Sequence, residues 1–164
     1  MKRSVELGFV VLAACGGGGK ATLDHADTQA KVAAEAEKRV GVPVAAATCP
    51  SKVTPASGSS FTCNVTFKGG GALTFKVDQV DAAGSLSIAP IGDWLLGDKM
   101  EQDLVTEMYL IGHKDAVVDC GTAVMPITLP VQVKCKVKKA DATEGSVVVA
   151  LDAQRNVDWK LDAL

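Results

Sequence analysis

The chain has 164 residues, 19 acidic and 17 basic, with two histidines and a formal net charge of −2. That mild acidity excludes nucleic acid as a partner, because a nucleic-acid reader presents a basic footprint. Aromatic residues make up only 4% of the chain, and the apolar content is largely Ala and Val, so each buried side chain removes little area from water and the core is expected to be thin.

The first segment reads as a leader. Met1-Lys2-Arg3 is positive, Leu7 to Ala14 is apolar apart from Gly8, and Ala13-Ala14 are small residues just before Cys15. Positive, apolar, small is the order of a secretory signal peptide. The run is far shorter than the roughly 20 apolar residues of a membrane span. Glu6 is the one charge that opposes insertion. Leu12-Ala13-Ala14-Cys15 resembles the lipobox of bacterial lipoproteins. The resemblance implies cleavage after residue 14 and acylation of Cys15, with the membrane lipid as partner. Cleavage there removes Lys2, Arg3 and Glu6 and shifts the net charge from −2 to −3. Gly16 to Gly19 then belong to a flexible tether over residues 15–21. From Cys15 to Thr22 it reaches at most about 25 Å. Lys20 after the glycines does not make a phosphate loop, since Ala21 stands where Ser or Thr would bind magnesium.

Beyond the tether the chain alternates between two periods. Leu23, Ala26, Ala30, Ala33, Ala36 and Val40 recur every three or four residues, which predicts a helix ended by Gly41 and Pro43. A short strand follows near 44–48. Then Phe61, Cys63, Val65 and Phe67 alternate with polar residues, as do Leu73, Phe75 and Val77, and then Leu86 and Ile88. This period of two predicts antiparallel strands with one wet face. A second helix is expected from Asp98, with Glu101 completing a capping box and Met100, Leu104, Val105, Met108 and Ile111 as its apolar stripe. A strand near 115–119 follows. Further strands fall at Val131 to Val137, Val147 to Leu151 and Val157 to Leu161, with turns at the glycine-bearing segments between.

The two halves correspond. "ATCPSKVTPASGSSFTCNVTF" (47–67) aligns with "VDCGTAVMPITLPVQVKCKVK" (118–138), and Asp93-Trp94-Leu95-Leu96 with Asp158-Trp159-Lys160-Leu161. The expected fold class is therefore α+β: two tandem repeats, 22–96 and 97–164, each with one helix on a roughly four-stranded antiparallel sheet. Apart from Cys15 the cysteines are Cys49, Cys63, Cys120 and Cys135. Four cysteines in an exported chain read as two disulfides, with three pairings open. The repeat selects the pairing within each copy, Cys49 with Cys63 and Cys120 with Cys135. Each such loop contributes about 3 kcal/mol in the chain-entropy model. Zinc is the competing use, but the spacing is not Cys-x-x-Cys and His25 and His113 lie far off.

Thr48-Cys49-Pro50, the Gly58 loop, Phe61-Thr62-Cys63-x-Val65 and Leu73-Thr74-Phe75-x-Val77 resemble a family of small exported lipoprotein domains of unknown function, mainly actinobacterial and related. The second half departs from the pattern, with Gly121 after Cys120 and Val133 in place of the phenylalanine. The resemblance implies no catalytic residues. In architecture alone the paired units also resemble a secreted β-lactamase inhibitor.

No catalytic constellation stands out. The loop serines Ser57, Ser59 and Ser60 have no nucleophile elbow. His25 and His113 lack partners for acid–base work. Asp93 and Asp158 are expected to cap turns while Trp94 and Trp159 pack the sheet ends. Asn64-Val65-Thr66 is read as a chance sequon. Lys134, Lys136 and Lys138 form a basic row on one wet strand face, weighed as solubility or edge protection against contact with an acidic partner. Together with Trp94 and Trp159 they are the candidate contact surface. The expectation is a lipid-anchored, extracytoplasmic, non-enzymatic binding module without metal or cofactor, facing an envelope protein or an anionic polymer. An inhibitor of an extracytoplasmic hydrolase is the alternative, and a hydrolytic enzyme the least favoured reading.

Overall fold

A computed structural model describes residues 23–81 and 83–163. The leader, Cys15 and the glycine tether lie outside the described residues. No described helix is long and apolar enough to cross a membrane. The described residues are mixed α and β, with two helices, two four-stranded antiparallel sheets and a two-stranded ribbon.

Helix α1 runs from His25 to Val40. Asp24 caps its start, its carboxylate accepting from the Asp27 N–H at 2.7 Å. Gly41 ends it in the left-handed region at φ 77°, where an L side chain would be strained. The buried stripe is Thr28, Val32, Ala36 and Val40, whereas Ala26 and Ala30 are exposed. The expected stripe was thus rotated. In an alanine-rich helix several faces satisfy the period, and Thr28 can be buried because its hydroxyl donates to the Asp24 carbonyl at 2.7 Å.

Strands β1 (Val44–Thr48), β2 (Ser60–Phe67), β3 (Ala72–Gln79) and β4 (Leu86–Pro90) form the first sheet in that order, under α1. Cys63, Val65, Phe67, Leu73, Phe75, Val77 and Ile88 fill the core between them. One polar side chain, Gln79, is buried in the strands. Its amide accepts from the Ala56 N–H at 2.8 Å and donates to the Thr54 carbonyl at 3.2 Å, so the long loop before β2 is held without an unsatisfied group.

Strand β5 (Asp93–Leu96) runs directly into helix α2 (Gly97–Leu110). The expected capping box is absent. Leu96 is the N-cap residue and no side chain caps the helix. With no loop between strand and helix, Asp98 already lies in the first turn. Glu101 instead accepts from the Cys120 N–H at 2.8 Å, tying α2 to the disulfide. Leu104 and Met108 are buried, while Val105 and Ile111 of the expected stripe are exposed.

Strands β6 (Val117–Asp119), β8 (Val131–Lys138), β9 (Glu144–Leu151) and β10 (Val157–Ala163) form the second sheet, in the order β6-β8-β9-β10. This matches the order of the first sheet, helix and disulfide included. The added element is β7 (Val124–Ile127), which pairs with β5 as a ribbon between the two cores. Val124 is fully buried in the first core, although it lies beyond residue 97 where the second half was expected to begin. Leu95 and Met125 pack on the second core instead.

The junction is close enough to demand glycine. Ala123 and Val124 donate backbone hydrogen bonds to Gly69 and Gly70 in the β2–β3 turn. A Cβ on Gly71 would stand 1.8 Å from the Val124 carbonyl oxygen, and one on Gly97 would stand 2.4 Å from that of Thr122.

Candidate functional site

The cysteines pair as Cys49–Cys63 and Cys120–Cys135, closing separations of 14 and 15 residues. Each bridge links the residue after a sheet's first strand to its second strand, and all four cysteines are buried. Bridges of this kind persist in an oxidising compartment.

The structure gives His25, His113, Asp93 and Asp158 separate settings. His25 Nε2 lies 3.0 Å from the Cys49 carbonyl oxygen, a role in holding α1 to the disulfide loop. His113 donates its backbone N–H to the Met108 carbonyl at 2.9 Å as α2 ends. Asp93 caps no turn. It lies within β5 and forms an ion pair with Arg155. Asp158 is exposed on β10. Among the described residues no cluster of three or more His, Cys, Asp or Glu is placed to hold a metal ion.

Three turn aspartates are more acidic than a free carboxyl. Hydrogen bonds from Ser85 hold the Asp81 carboxyl below its ordinary value of 3.8. Thr143 does the same for Asp141, and Asn156 for Asp152. Each accepts backbone N–H groups within its own turn, so the cause is turn geometry.

The lysine row lies on the exposed face of β8 as expected, but its setting differs. β8 is flanked by β9 along its length but by β6 only at Lys136 to Lys138, so edge protection applies to its Lys134 end alone. Lys134 is 3.4 Å from Asp162 and Lys138 is 3.7 Å from Glu144. The row is interleaved with carboxylates, which fits a mixed, solvated sheet face.

The two tryptophans behave differently. Trp94 enters from β5 and packs on the first core. Trp159 enters from β10 and packs on the second. Both line one groove of about 360 Å³. Its ribbon side is completed by Leu95 and Leu96, and its sheet side by Val149, Leu151 and Val157. The remaining wall is α2, where Met100 and Leu104 supply the apolar floor and Lys99, Asp103 and Glu107 the rim. Residues 99, 103 and 107 fall on one helix face because they are four apart. The volume is at the small end of the range for ligand sites. The sequence had marked Trp94 and Trp159 but not Leu95, Leu96, Met100, Asp103 or Glu107 as their neighbours. The Asp-Trp correspondence between halves was the signal, yet only the β5–β7 ribbon brings the two indoles to one place.

No curated protein and no solved structure matches the chain. Residues 7–84, just under half of the chain, match the model of a family described as Domain of unknown function (DUF4333). The match runs from residue 7 to the turn after β3 and leaves β4, the ribbon and the whole second sheet outside it. Over the matched residues the first helix-and-sheet unit is therefore similar to that domain-of-unknown-function family.

Proposed function

We propose that this chain is an exported lipoprotein, anchored through an acylated Cys15, that acts as a non-catalytic binding module at the cell envelope. On this reading the two helix-and-sheet units are diverged copies of one ancestral unit. The shared strand order and the equivalent disulfide positions support that reading. The glycine tether would keep the fold within about 25 Å of the bilayer.

The observation that carries the binding reading is the convergence of both tryptophans on one apolar groove. An apolar concavity that half-exposes two indoles leaves stabilising contacts unmade in the free protein, and an apolar ligand would complete them. Duplication then has a functional consequence, since a single unit holds only one of the two indoles.

Native mass spectrometry of the protein isolated from its own membranes tests both parts. The expected result is a diacylglycerol-bearing N-terminal Cys15 and a small bound molecule released on denaturation. Trp159→Ala should lose the small molecule and keep both disulfides. A mature chain with a free cysteine thiol at its start would end the anchor reading. A ligand-free protein whose tryptophan emission ignores a panel of apolar compounds would end the binding reading.

A further inference from the structure

The chemistry around the groove narrows its ligand class, and the inference rests on the binding reading above. The floor is apolar: Leu104, Met100 and the two indole faces offer dispersion and a negative π surface. The rim is not neutral. It carries Lys99, Asp103 and Glu107. Lys99 and Asp103 form an ion pair and cancel each other. Glu107 makes no ion pair or side-chain hydrogen bond with any described residue, although it is half buried.

The position of Glu107 makes this more pointed. It begins the last turn of α2, the negative end of the helix dipole, which favours a cation. No basic residue lies in that turn. Lys114, just beyond the helix, sits 5.4 Å over the Tyr109 ring instead. A carboxylate without an ion-pair partner among the described residues and two tryptophans therefore border one apolar groove, whose one lysine is taken up by Asp103.

We propose that the groove recognises a hydrophobic cation: an apolar body the size of a phenylalkyl group, ending in an ammonium. The apolar body lies against Leu104 and Met100, and the ammonium meets Glu107 and an indole face. The charge selects the sign of the ligand, and the floor supplies most of the contact area. A strongly hydrated small cation lacks that area, and an anion would meet Glu107 at the cost of repulsion.

The chain contains only Trp94 and Trp159 as tryptophans, so its indole emission reports the groove directly. The test is a fluorescence and calorimetric titration of the intact mature protein with three probes. They are 3-phenylpropyl-trimethylammonium, its neutral analogue with a quaternary carbon in place of nitrogen, and 3-phenylpropylsulfonate. The cation should bind at least tenfold more tightly than the neutral analogue, and the sulfonate should not bind. Glu107→Gln, a change on the groove rim, should reduce that preference at least fivefold, leave the neutral analogue's affinity unchanged and keep the melting temperature. Equal affinity for cation and neutral analogue would overturn the charge inference while leaving the binding reading intact. Silence with all three probes would overturn both. A preference that survives Glu107→Gln would also overturn the assignment.

Discussion

Leu96 and Val124 stand opposite one another in the β5–β7 ribbon, and both side chains enter the core built on α1. Their strand neighbours Leu95 and Met125, also opposed, point the other way into the core built on α2. One two-stranded ribbon thus serves as a wall of two hydrophobic interiors, because successive side chains in a strand alternate faces. The units are joined by shared packing and not by a linker alone.

Shared packing predicts that Val124→Ala weakens the first unit. The side chain is fully buried, and removing its two methyl groups should cost about 2 kcal/mol including the residual cavity. Hydrogen exchange would read the effect at Phe75 and Val77 of the first core. An effect confined to amides of β8 and β9 would show that Val124 serves the second core instead.

Backbone crowding at the junction predicts a larger loss. Gly71→Ala would drive a Cβ into the Val124 carbonyl and would also impose an L side chain at φ 91°, a combined cost of about 3 kcal/mol. Gly41→Ala, with φ 77° but nothing within 4 Å of its Cβ, should cost only about 1 kcal/mol. Denaturant midpoints of the two variants check the difference. Equal losses would mean that the chain does not pass so closely there.

The disulfides are expected to act locally. Replacing Cys120 and Cys135 together by alanine should cost about 3 kcal/mol and leave the Cys49–Cys63 link formed. Peptide mapping without reduction reads the connectivity. Links between Cys49 or Cys63 and Cys120 or Cys135 would contradict the two stapled units.

Acid should loosen the turns. Asp81, Asp141 and Asp152 titrate below 3.8 in the folded chain, so between those lowered values and 3.8 the unfolded chain binds more protons. Their contribution is fully present above about pH 4 and is lost as pH falls through the folded values. The triple Asp→Asn variant should show a flatter fall in stability below pH 4 than the parent, measured by denaturation at a series of pH values. A parallel fall would place the acid sensitivity in other groups.

Much of the fold was legible in the sequence because alternation reports a half-wet sheet directly. Phe61 to Phe67 and Leu73 to Val77 declared both period and face, and the correspondence between the halves selected the disulfide pairing. The helices were less legible. α1 is so rich in alanine that the period alone did not fix which face is buried. The start of α2 was placed within a residue, but its capping box was misread because a strand runs into the helix without a loop. β7 was not legible at all. Val124-Met125-Pro126-Ile127 is short and contains a proline, which a central strand excludes but a two-stranded ribbon tolerates. The groove depended on that ribbon, so the sequence named its tryptophans but not their meeting.

The account turns on the groove being the binding surface, and NMR titration of the intact protein tests that most directly. With 3-phenylpropyl-trimethylammonium, the indole N–H signals of Trp94 and Trp159 and the amide of Leu104 should shift together and saturate, while Lys134, Lys136 and Lys138 stay in place. Unmoved indoles, or shifts gathered on the lysine row of β8, would contradict it.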